Sequence, residues 1–320
     1  MASPSNSQMF RAPANSRDDN GTTSSVVIGA WPDLNGLAEC LDSLASQQDA
    51  ATEILVVGGA PFPTEIRMRF PRVRWLQGSP GMLVPHLWSI GVNSSRGKIV
   101  AITTARFVPA RDWLKYICEA HKRLASPGIG GAIDPPRGRS AKGWATYFLR
   151  YSTYLKYTRE QIVHEIAGEN ASYKYDSLAA HRDAIVDGFW EPEFHRLLQA
   201  EGKTLSFVPA IRVTQGPAFG VRCFCRQRFQ HGRHFGHMRL RGSSAAVRIA
   251  RVVASPLIPA VVLAKIFVRV LASRRYFGPL LFSLPLLFVF VVAWTLGEVF
   301  GYCSASSVGL PNKHRQKSPG

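Results

Sequence analysis

The sequence predicts an α/β protein: a wound, mostly parallel sheet flanked by helices, followed by an interface helix and a transmembrane helix. Three observations lead there. Short β-branched runs alternate with amphipathic helical runs over residues 25–125, the pattern of a right-handed wound sheet. Residues 276–297, YFGPLLFSLPLLFVFVVAWTLG, carry no charge. As a helix that run would be roughly 33 Å long, against a bilayer core of about 30 Å. Lastly, no Asp or Glu occurs from Gly202 to Gly297, so much of the net charge of +18 gathers beside the apolar run.

Taken in order, residues 1–24 are polar, contain no apolar signal core, and are expected to be a disordered lead-in. The soluble part is therefore expected in the cytoplasm. SVVIGA opens the domain as a buried strand and ends at Trp31-Pro32-Asp33. In LNGLAECLDSLASQQ, residues Leu34, Leu37, Leu41 and Leu44 recur at helical spacing, which gives an amphipathic helix. EILVVGG and RVRWLQG read as the second and third strands, MLVPHLWSIGVNSSRG as a helix capped at Gly97, and KIVAITT as the fourth strand. Ligands of such sheets sit at the carboxyl ends of the strands. Gly29, Ala30, Trp31, Gly58, Gly59, Thr104, Ala105 and Arg106 are expected along that rim. Further on, GWATYFLRYSTYLKYTRE is helical, and its tyrosines suit groove walls or membrane boundaries. GENASYKYDSL reads as a turn into a strand and a helix. GFWEPEFHRLLQAEGKTLSFVP gives a loop, a helix ending at Gly202 and a short strand.

The basic stretch contains Arg222, Arg226, Arg228, Arg233, Arg239, Arg241, Arg248 and Arg251. Nucleic acid is not its expected partner, because no helix-turn-helix, zinc-finger or RNA-recognition signature accompanies it. Its place before an apolar segment favours an anionic phospholipid surface. In residues 245–271 the uncharged centre is too short to span comfortably. Arg248, Arg251, Lys265 and Arg269 fall within about 100° of arc, the pattern of an interface helix. Pro256 and Pro259 should bend or divide it. A two-helix hairpin is the rival arrangement, and it leaves Arg274-Arg275 in the far loop. The expected domains are thus 25–240, membrane helices over 241–302 with the span at 276–298, and a disordered basic tail over 303–320. A buried core helix is the alternative for the span. The five cysteines show no metal-ligand spacing and read as buried or free thiols. His195, His231, His234 and His237 have no carboxylate or cysteine completing a ligand set, so no metal site is assigned to them.

These segments, in this order, resemble family 2 glycosyltransferases with the GT-A fold over roughly residues 25–235. SVVIGAWPDLNGLAECLDSLASQ resembles that family's opening strand and helix, and EILVVGG its second strand. GVNSSRGKIVAITTARFVPARDWL resembles the segment through its Asp-x-Asp, and GENASYKYDSL its acceptor-side Gly-x-Asn-x-Ala-aromatic segment. GFWEPEFHRLLQAEG is similar to its acid-bearing helix, and RQRFQHGR to its Arg-aromatic element. The resemblance implies an inverting transferase. With the apolar run, the basic stretch and the polar N-terminus, it is expected to be membrane-anchored at the cytoplasmic side of the cell (inner) membrane. Its donor would be a nucleotide-sugar, and its acceptor lipid-linked or membrane-proximal, as in polysaccharide or glycolipid synthesis.

The resemblance assigns the general base to Glu191, with Glu193 two residues on, since a carboxylate must deprotonate the acceptor hydroxyl. It assigns donor binding to Gly29, Ala30, Trp31, Gly58, Thr104 and Arg106, and the acceptor or diphosphate side to Asn170, Arg228 and Phe229. The sequence departs from the family where acids are usual. Gly58 and Gly59 follow the second strand, Thr104 and Arg106 stand in the Asp-x-Asp, and Trp88-Ser89 replaces an Arg-Asn pair. No cofactor is certain: Mg or Mn serves the family, yet its usual ligands are absent. Arg106 could neutralise diphosphate directly through its guanidinium fork. Loss of these acids equally fits a catalytically inactive scaffold or binding protein at the membrane.

Overall fold

A computed structural model describes residues 23–138, 140–240 and 243–304. The expected lead-in up to residue 22, Arg241 and the tail from residue 305 lie outside the described residues. The described residues divide into two compact units, one within 23–132 and 159–214, the other within 133–158 and 215–304.

The first unit opens with β1 (Ser24–Ala30), α1 (Leu37–Ala45), β2 (Thr52–Gly58), α2 (Thr64–Arg69), β3 (Val73–Gln77), α3 (Val84–Ser94) and β4 (Ile99–Thr104). There follow β5 (Phe107–Pro109), α4 (Trp113–Arg123) and β6 (Gly128–Asp134). After α5 (Ala141–Tyr151) of the second unit the chain returns through β7 (Gln161–Val163), a 3-10 turn at Gly168–Asn170, β8 (Ala171–Lys174), α6 (Tyr175–Ala180) and α7 (Arg182–Ile185). It closes with α8 (Glu191–Ala200) and β9 (Leu205–Gln215). The sheet order is β3-β2-β1-β4-β8-β6-β9-β5, with β7 pairing to β9. Parallel pairing joins β1 to β2, β1 to β4 and β2 to β3. β8 then runs antiparallel between β4 and β6.

The fold class is the expected one, and its causes are local. All seven residues of β1 are buried, as a strand covered on both faces requires. α1 lays Leu37, Cys40, Leu41 and Leu44 on that sheet, each leucine contributing about 1.5–3 kcal/mol of transfer free energy. α3 stops at Ser94, with Ser95 extended at φ −75, earlier than the expected cap at Gly97. Gly97 instead permits a close backbone approach, since a Cβ there would lie 2.5 Å from the Ser24 and Ser25 backbone. The Tyr-rich helix is also shorter than expected, ending at Tyr151 and passing into a 3-10 turn at Ser152–Tyr154.

The second unit holds α5, α9 (Val221–Arg239), α10 (Ala245–Ala254), α11 (Ile258–Ser273) and α12 (Phe277–Ser304). α5 and α9 belong with the apolar helices here, although they lie within the segment 25–240. α10 and α11 are separated by a 3-10 turn at Ser255–Leu257, where Pro256 is expected to divide them. Ala245–Ser273 and Phe277–Ser304 are each long and apolar enough to cross a membrane, which points to membrane association. α12 continues six residues beyond the expected end at 298.

Candidate active site

Sheet register assembles the rim. Gly29 pairs with Thr104 and Ala30 with Gly58, so the ends of β1, β2 and β4 lie side by side. Ala105 donates its N–H to the Gly29 carbonyl at 3.1 Å and carries the chain out of the sheet. The next residue, Arg106, is turned inward. Its side chain is only 5% exposed, and Nη2 lies 2.5 Å from Oδ1 of Asp33, whose side chain is 45% exposed. Asp33 belongs to the turn after β1 and also accepts the Asn35 N–H at 3.0 Å. The buried guanidinium at the rim is thus held by an accessible carboxylate. Sequence reasoning missed Asp33 as a site residue, although Trp31-Pro32-Asp33 marks the strand's end.

Beneath the rim, Trp88 of α3 donates Nε1–H to the Thr103 carbonyl at 2.6 Å. Thr103 donates its hydroxyl to the Glu169 carbonyl at 2.8 Å, so that hydroxyl is committed to the fold. Gly168 lies next to these groups. A Cβ built on it would be 2.3 Å from Oε1 of Glu191 and 2.7 Å from Cη2 and Cζ3 of Trp88. The Glu191 carboxyl is therefore seated over a glycine and beside an indole that is itself bonded to the end of β4. Phe189 and Trp190, both buried, precede it and place it as the first residue of α8. Glu193 is half-buried in the same helical turn. Neither Trp88 nor Gly168 is singled out by sequence as a site residue; glycine before an acid-facing aromatic is legible only once the strands are paired.

Other expected residues have packing or hydrogen-bond partners of their own. Gly58 leaves space for Phe62, whose Cζ would be 2.7 Å from an added Cβ, and the Phe62 ring packs at 4.8 Å on Trp75. An aromatic pair thus fills the space beside the end of β2. Asn170 is 1% exposed and its amide is a clamp between strands. Nδ2 donates to the carbonyls of Ala132 and Ile211 at 2.8 and 2.9 Å, while Oδ1 accepts from Trp113 at 2.7 Å. Arg228 and Phe229 lie on α9 in the second unit. The Arg228 guanidinium stands 4.9 Å over Phe224 and 5.6 Å over Trp294, and Phe229 packs on Phe300 at 5.9 Å. His195 is a core residue whose Nε2 is 2.8 Å from the Tyr173 hydroxyl. Burial pushes its imidazole down to about 3. His121 is held down at about 4 by burial and by Lys174.

The residues at the rim do not fit a divalent cation, which prefers several oxygen ligands. Thr104 and a buried Arg106 stand at the end of β4, and Asp33 is already paired with that arginine. Among the described residues no group of three or more His, Cys, Asp or Glu is placed to hold a metal ion.

No protein-family model matches the sequence, and no curated protein matches it. Solved structures do. The chain is similar to GalNAc-T7 with UDP, GalNAc and Mn2+ at 16% identity and TM-score 0.46, over 63% of this chain and 45% of that one. It thus spans less than half of the GalNAc-T7 chain. It is also similar to the mannosyltransferase PcManGT from Pyrobaculum calidifontis, in complex with GDP-Man and Mn2+. There the identity is 17% and the TM-score 0.49, over 86% of each chain.

Proposed function

We propose that the protein is a membrane-associated, inverting glycosyltransferase that uses a nucleotide-sugar without a protein-held metal. Its acceptor is lipid-linked or membrane-proximal, at the cytoplasmic side of the cell membrane, in polysaccharide or glycolipid synthesis. The observation that carries this is the Glu191 carboxyl, seated over Gly168 against Trp88 beside the end of β4. A base must reach a hydroxyl that attacks a donor lying on the strand ends. In the reaction Glu191 takes the acceptor proton, the acceptor oxygen bonds to the anomeric carbon from the far side, and the nucleoside diphosphate departs with the bonding pair. One such displacement inverts the sugar. Arg106 supports the departing charge by exchanging Asp33 for the diphosphate, since a guanidinium fork matches phosphate oxygens.

A second reading, a non-catalytic binding protein, is favoured by one feature. The rim is filled from within, by Phe62 over Gly58 and by Asp33 on Arg106. Glu191→Gln separates the two. It should abolish sugar transfer and leave nucleotide-sugar thermal stabilisation in place. Failure of any nucleotide or nucleotide-sugar to raise the melting temperature, with or without Mg or Mn, would overturn the transferase.

A further inference from the structure

The second unit carries a surface whose geometry differs from that of a membrane-crossing helix. α9 and α12 lie parallel with their backbones in contact. Phe224 meets Phe290 at 4.6 Å, Phe235 meets Trp294 at 5.3 Å, and Ser304 Oγ meets His237 Nε2 at 3.2 Å. Four glycines make the contact: a Cβ on Gly232, Gly236, Gly297 or Gly301 would stand 2.2, 2.5, 2.0 and 2.4 Å from a carbonyl oxygen of the facing helix. The pair is latched by Glu298, 1% exposed, which accepts from Arg239, from Tyr302 and from Trp294 Nε1. The length of α12 from Phe290 to Ser304 is therefore bound to α9, on which Arg222, Arg226, Arg233 and Arg239 are exposed. Carrying α12 across a bilayer would carry those arginines into hydrocarbon, where each is strongly unfavourable. What remains, Phe277–Val289, makes a helix of about 20 Å, too short for a core of about 30 Å.

The exposed side chains describe another placement. On α12, Phe277, Leu281, Phe282, Phe288, Val289, Leu296 and Phe300 are exposed, from the first turn of the helix to the last. At about 100° per residue they fall within about 140° of arc, opposite the buried face. α11 repeats the arrangement: Leu257, at its N-terminal boundary, and Val261, Val268 and Leu271 are exposed together, with Lys265 on the border and Ile266 and Val270 buried behind. Phe267 and Phe277 join the two helices at 5.8 Å. No acid offsets the surrounding cations before Glu298.

We propose that this unit is monotopic: α11 and α12 lie in the plane of one leaflet of an anionic membrane, apolar faces among the acyl chains. α9 then lies on the water side, its arginines at the lipid phosphates. Neither helix crosses, so both ends of α12 face the same compartment as α9. The proposal rests on membrane association alone and not on transfer activity, so it stands or falls separately from the enzyme.

The test uses the full chain in sealed vesicles of phosphatidylcholine and phosphatidylglycerol, with a membrane-impermeant maleimide. Three single-cysteine chains are compared. One keeps only Cys303, with Cys40, Cys118, Cys223 and Cys225 replaced by Ala; the other two have all five cysteines replaced by Ala and carry R226C on α9 or R275C between the long helices. All three should label from one side. Cys303 on the side opposite R226C means a single span, and R275C alone on the opposite side means a hairpin. Either result overturns the proposal. Should the cysteine variants not fold, trypsin on the native chain decides. Cleavage at Arg274 and Arg275 from the side that exposes Arg226 is expected, and full protection there overturns it.

Discussion

Arg106 and Asp33 pose a sharp question at the scale of single residues. A guanidinium buried to 5% of its surface is retained only with a partner, and that partner is an accessible acid on a neighbouring turn. If diphosphate replaces Asp33, then Asp33→Asn should tighten nucleotide-sugar binding several-fold, while Arg106→Ala weakens it at least tenfold. Isothermal titration with and without EDTA checks both, and chelation should leave the affinities unchanged. A wild-type-like Arg106→Ala would remove Arg106 from the donor site. The buried histidines give a different prediction. His121 and His195 are neutral in the fold, held far below the usual imidazole value by burial first of all. The unfolded chain binds their protons near pH 6.5, the folded one only near about 4 and about 3. Their contribution is complete above pH 6.5 and is lost as the pH falls toward those lower values, so stability declines on acidification. Melting curves from pH 7.5 to 5 should show it, with a shallower slope for His195→Phe.

At the scale of elements, the α9–α12 contact admits no side chain at its four glycines. Gly297→Val, whose Cβ would stand 2.0 Å from the Phe229 carbonyl, should push the helices apart. Overpacking of this kind costs about 1–3 kcal/mol or more, visible as a lower melting temperature in detergent and enhanced exchange of α9 amides. The sequence made β1, β2 and β4 legible because each is a short run rich in β-branched residues, and α1 legible because its leucines repeat at helical spacing. α8 is expected from its place before Gly202, while Glu191 comes only through the resemblance of GFWEPEFHRLLQAEG to an acid-bearing helix. The sequence did not reveal α9 as the partner of α12. α9 is so rich in arginine and histidine that its apolar stripe is thin, and glycine spacing carries no meaning until two helices are opposed. Nor could it show that Asn170 is a strand clamp, because its three bonds run to Ala132, Ile211 and Trp113, far apart in the chain.

For the whole molecule, the question is what a net charge of +18 is for. A general polycation and a membrane protein of this design both bind anionic surfaces at low salt, and they diverge as salt rises. Binding that neutralises phosphates alone falls steeply and continuously with salt, because its driving force is the release of counterions. Here the cations border apolar faces that remain exposed on α11 and α12, and burial of apolar surface is not screened. Co-sedimentation of the full chain with phosphatidylglycerol vesicles should therefore weaken between 50 mM and 500 mM salt and then level off with most of the protein still bound. Binding to duplex DNA should vanish over the same range. Replacing Val261 and Val268 by Ser would leave the charge intact and remove the apolar anchor, so the plateau should drop while the low-salt limb persists. A salt curve that falls to zero for the unaltered chain would mean that electrostatics alone hold it, and that these helices do not enter the lipid.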